Sequence, residues 1–113
     1  MIEFHIIRKN GKISKYYGLG HAKYKKKGER YDLLCNTVSV VSQQVVAGFV
    51  YLGYEPKFDY DLDSGFMIVD LEDYEFVGHE KEVNVLLGSM QMMMEQLARE
   101  YPKYIKLIEE EEN

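Results

Sequence analysis

The chain has 113 residues (13.3 kDa), 46% of them hydrophobic and 29% charged, which fits one globular domain and excludes a disordered chain. A formal net charge of -5 argues against general nucleic-acid binding and suits a basic partner. The single cysteine excludes an internal disulfide and fits a reducing cytoplasm; no apolar run approaches the roughly 20 residues of a membrane span, and Met1-Ile2-Glu3-Phe4 lacks signal-peptide architecture, so no membrane association is expected.

The first elements read as a β-hairpin. Ile2, Phe4 and Ile6 alternate with Glu3 and His5, and Ile13, Tyr17 and Leu19 share one parity of the following run. Asn10-Gly11 between them suits a two-residue turn, because both positions tolerate positive φ. The polar stretch 23–30, rich in lysine and without either period, reads as a mobile loop. A helix is predicted from near Asp32, its N-cap, to Gly53, with Leu34, Val38, Val41, Val45, Phe49 and Leu52 as the core stripe. Its many valines are poor helix formers, so packing must supply most of its stability.

A second hairpin follows. Phe58, Tyr60 and Leu62 alternate with Asp59, Asp61 and Asp63, Ser64-Gly65 turns, and residues 66–71 return. A second helix spans about His79 to Tyr101, burying Val83, Leu87, Met90, Met94 and Leu97, and Pro102 stops it. Residues 104–108 form a short closing strand and 109–113 a frayed tail. The order ββαββα with a closing strand makes an α+β two-layer sandwich.

Cys35 falls in the first turn of the first helix, where unpaired amides and the helix dipole favour a thiolate; those amides are also candidate oxyanion donors. Ser39 lies one turn on and Gln43 a turn beyond, a polar line beside the apolar stripe. A lone cysteine is also a common small core residue. His21, at a strand end after Gly20, can reach a helix start across a loop. His5 and His79 compete with it as bases, and both read as surface residues. No metal site has a recognisable spacing. Met90, Met92, Met93 and Met94 with Met67 read as core or dimer packing ahead of an adaptable binding surface.

Gly20-His21-Ala22, a Gly-containing loop, Asp32-Leu33-Leu34-Cys35 and Val38-Ser39 heading a valine-rich helix resemble the ribosomal-processing cysteine protease family (Prp). The resemblance covers nearly the whole chain, including Tyr104-Ile105-Lys106 near its end. It implies a single cysteine-protease domain over residues 1–113, cytoplasmic, homodimeric and without a cofactor. It further implies a Cys35/His21 dyad supported by Gly20, Asp32 and Ser39. The implied substrate is the N-terminal extension of a large-subunit ribosomal protein, the twenty-seventh of the L series, cut after an aromatic residue. Asn36-Thr37 stand where the family carries small residues, and the loop before Cys35 is rich in lysine and poor in glycine. The rival expectation is a non-catalytic dimeric module that binds a ribosomal protein or assembly factor through the methionine-rich helix, with Cys35 inert.

Overall fold

The structure is a computed structural model and describes residues 1–23, 32–61 and 64–112. The element order is β1 (Ile2–Lys9), β2 (Lys12–Leu19), α1 (Leu33–Tyr51), β3 (Lys57–Asp61), β4 (Phe66–Asp70), α2 (Glu80–Glu100) and β5 (Ile105–Glu112). Among the described residues the strands make one sheet in the order β3-β4-β2-β1-β5. All neighbours are antiparallel except β1 and β5, which run parallel. The expected α+β sandwich is what forms. The expectation of a mobile loop over residues 23–30 falls, beyond Lys23, outside the described residues.

Both helices lie on one face of the sheet. Tyr16 and Arg8 project from that face; the Tyr16 hydroxyl donates to the Ser42 carbonyl of α1, and the Arg8 guanidinium to the Gln91 side chain of α2. The core combines Phe4, Ile6, Tyr16 and Val69 from the sheet with the α1 and α2 stripes, and Phe49 and Met94 are completely buried. The buried face of α2 is the predicted one: Val83, Leu87, Met90, Met94 and Leu97. The first turn is also as read, with Asn10 and Gly11 at φ 55° and 78°.

Four expectations need correction. In β2 the buried parity is Ser14, Tyr16 and Gly18, not Ile13, Tyr17 and Leu19. The register slips between Ile7 and Arg8, which makes Ser14 the extra residue of a β-bulge. Ile13 therefore joins the helix-side face, whereas Tyr17 lies on the other, stacked on His5 with ring centroids 4.3 Å apart. Ser14 is satisfied inside by donating to the Ile7 carbonyl at 3.2 Å.

His5 is buried, not on the surface, between Tyr17 and Glu110. His79 is half-buried, its Nδ1 2.8 Å from the Tyr54 hydroxyl. Nor do residues 109–112 fray: β5 runs to Glu112, paired with β1 throughout. Arg8 against Glu109, His5 against Glu110 and the Gly11 N–H on Glu111 offset the repulsion among adjacent glutamates. Finally, α1 has 19 residues without a charged side chain and is long and apolar enough, by length and composition alone, to cross a membrane. Uncharged polar residues such as Asn36, Ser39 and Gln43 hid this from a search for apolar runs. Its Leu34, Val38, Ser42, Val45 and Phe49 face is buried in the domain, as in a core helix.

Candidate active site

Two chain segments meet where β2 ends and α1 begins. After Leu19 the backbone turns through Gly20 at φ 88°, a conformation open to glycine. A Cβ there would lie 2.5 Å from the Met1 carbonyl oxygen, so the approach also requires glycine. The Met1 amino group donates to the His21 carbonyl at 2.7 Å, which ties this segment to β1. The next amide, of buried Ala22, donates to Cys35 Sγ at 3.2 Å.

Asp32 governs the other segment. Its Oδ1 accepts from the Leu34 and Cys35 amides at 3.0 and 3.1 Å, and its carbonyl accepts from the Asn36 amide at 3.0 Å. This is the predicted N-cap, and it overturns an associated expectation: these first-turn amides are occupied and are not open to an oxyanion. The thiolate expectation changes too. Burial pushes the Cys35 thiol above its ordinary value. The Ala22 N–H pulls down, but the charge of Asp32 and a hydrogen bond between its side chain and the thiol push up again. In the unliganded protein these effects together favour the neutral thiol over the thiolate.

Four residues singled out in the sequence, Gly20, His21, Cys35 and Ser39, line one cavity of about 150 Å³. Gly20 and His21 line it from the end of β2, and Cys35, Asn36, Ser39 and Gln43 from α1. His21 is exposed and Cys35 half-buried. His5 and His79 are not in the lining. Nor is Asp32, whose place is the cap beside it. Among the described residues no group of histidine, cysteine, aspartate and glutamate side chains could hold a metal ion.

The opposite wall went unread in the sequence. Tyr60 and Asp61 of β3, Gly65 of the turn, and Phe66 and Met67 of β4 complete the cavity. Met67 pairs with Gly18 across β2 and β4, and the missing side chain at Gly18 leaves room on the helix-side face. Gly65, at φ 70°, packs on the histidine segment: a Cβ would lie 2.4 Å from the Gly20 oxygen and 3.0 Å from His21 Cε1. The signal for this wall was present only as a strand pattern and a turn dipeptide. Grouping Met67 with the α2 methionines was misleading, since Met90 and Met94 are core and Met67 lines the cavity.

Solved structures share the fold. SMU.848 from Streptococcus mutans superposes with a TM-score of 0.83 at 24% identity, over 99% of this chain and 96% of that one. The ribosomal processing protease Prp from S. aureus, with a covalently linked product peptide, gives 0.79 at 23% identity over 96% and 99%. The same protease with a substrate peptide gives 0.77 at 23% identity over the same shares. No curated protein matches the chain. The sequence itself decides the family: the model of the cysteine protease Prp family matches residues 1–106, so this chain, with its solitary cysteine at the head of α1, belongs to the cysteine protease Prp family.

Proposed function

We propose that the protein is a cytoplasmic cysteine endopeptidase that removes a short N-terminal extension from the twenty-seventh large-subunit ribosomal protein, cutting after an aromatic residue. It acts as a homodimer, through a Cys35/His21 dyad and without a cofactor, nucleic acid or membrane. The observation that carries this reading is the shared cavity of His21 and Cys35, with the amide next to His21 already on Sγ. The S. aureus protease of the same fold binds a substrate peptide and holds a product peptide covalently, which supports a peptide in the corresponding cavity.

The neutral thiol favours general-base activation over a preformed ion pair. His21 takes the Sγ proton as sulfur attacks the scissile carbonyl, then delivers it to the leaving amine. Water hydrolyses the resulting thioester, with His21 again accepting a proton. Asp32 fixes the helix start, Gly20 permits the turn that presents His21, and Ser39 meets the substrate beside the thiol. The half-buried thiol with its hydrogen bond to Asp32 also suits an inert cysteine in a binding module.

Cleavage separates the two. Wild type should shorten an N-terminal peptide of that ribosomal protein, and Cys35→Ala and His21→Ala should not. An intact peptide with wild type, or equal cleavage by the variants, would defeat the protease reading.

A further inference from the structure

With the first-turn amides held by Asp32, the proposed reaction needs another donor for the oxygen of its tetrahedral intermediate. Serine and threonine hydroxyls inside a helix commonly donate to a carbonyl one turn back. Two on α1 do so: Thr37 to the Leu33 carbonyl at 2.7 Å, and Ser42 to the Val38 carbonyl at 2.8 Å. Ser39 behaves differently. Its Oγ accepts from Gln43 Nε2 at 2.7 Å, and among the described residues it gives its own proton to nothing. Cys35, Ser39 and Gln43 follow one another at one-turn spacing on the same cavity wall.

We propose that Gln43 is a positioning residue: its amide holds the Ser39 hydroxyl away from the helix backbone, so that the Ser39 proton points into the cavity toward an oxyanion formed at Cys35. An amide N–H on one lone pair of a hydroxyl leaves its hydrogen to point elsewhere. The inference rests on the cysteine-protease reading above. It adds the polarity of the Gln43–Ser39 bond and its consequence for the reaction.

The test uses a short acetylated peptide ending in phenylalaninal, with the matching phenylalaninamide as control. The Cys35 S–H adds across the aldehyde: the S–C bond forms, the carbonyl π bond breaks, and the thiol proton passes through His21 to the oxygen. That oxygen occupies the place of the oxyanion, which the carboxamide does not create. Gln43→Ala and Ser39→Ala should each weaken aldehyde binding by roughly 100-fold, the lower end of what one oxyanion donor is worth. In Gln43→Ala the carboxamide affinity and melting temperature should stay near wild type, because Gln43 is exposed. Adding Gln43→Ala to Ser39→Ala should cost nothing further. Gln43→Glu should lose as much as Gln43→Ala, since a carboxylate accepts the Ser39 proton.

Wild-type aldehyde affinity in Gln43→Glu, or a further loss in the double variant, would overturn the role of Gln43 and leave the protease reading standing. Wild type that binds the aldehyde no better than the carboxamide, and no better than Cys35→Ala does, would overturn both.

Discussion

Asp32 sets two properties of the cysteine that pull apart. As a cap it accepts the Leu34 and Cys35 amides, which holds the helix start in place. Burial raises the thiol most, and the charge of Asp32 beside the partly buried sulfur raises it further. Substitutions separate these effects. Asp32→Asn retains a capping oxygen and removes the charge, so the thiol's titration should shift downward. Iodoacetamide labelling should then reach half its maximal rate at a lower pH than in wild type, and wild type itself should lie above the urea-unfolded chain. A wild type that labels as fast at pH 6 as at pH 8 would refute the neutral-thiol assignment. Asp32→Ala loses the cap as well, and urea unfolding should report a loss of about 1 kcal/mol. Gly65 offers a residue-scale test from the other wall. Gly65→Ala adds a Cβ against the Gly20 carbonyl and the His21 ring at a left-handed φ, with about 1–3 kcal/mol of strain. Peptide cleavage should fall at least tenfold at temperatures where circular dichroism still shows folded protein. Unchanged cleavage would mean that the turn does not position His21.

Among the elements, legibility followed the regularity of the pattern. The α2 stripe was read residue for residue, because apolar side chains at three- and four-residue spacing have one stable placement on a sheet. The first strand pair was harder: one inserted residue at Ser14 exchanges the two faces of β2, and nothing in the hydropathy of Ile13 or Tyr17 announces a bulge. The acidic end was misread for a related reason. Four adjacent glutamates look like a solvated tail until β1 brings Arg8 and His5, and the turn after it the Gly11 amide, alongside them. Ending the chain after Ile108 tests this. It removes the pairing of residues 109–112 with residues 6–9, and urea unfolding should show a loss of about 2 kcal/mol, a few net hydrogen bonds and exposed ion pairs. A frayed tail would cost nothing.

On the scale of the molecule, the site exists because of strand order. His21 and Cys35 lie 14 positions apart in the chain, and the Gly20-His21 and Asp32-Cys35 segments could be picked from the sequence with the family pattern beside them. Tyr60, Gly65, Phe66 and Met67 could not, because only the β2–β4 pairing carries the second hairpin over the cavity, and one sequence does not say which hairpin strand lies inside. The same layering bears on the proposed homodimer. With one sheet face covered by α1 and α2, the outer sides of those helices carry Leu33, Val40, Val50 and Tyr51, and Val85 and Met92, to solvent. A second copy covering them would remove that apolar surface from water at about 25 cal/mol per Å² before the cost of association. Sedimentation equilibrium at about 10 μM, a concentration at which ordinary stable interfaces are closed, should therefore give twice 13.3 kDa. Val40→Glu with Val85→Glu would place unpaired charges in that contact and should give the monomer mass with an unchanged circular dichroism spectrum. Wild type at 13.3 kDa would refute the dimer, and a doubled mass that survives both substitutions would move the contact off the helix layer.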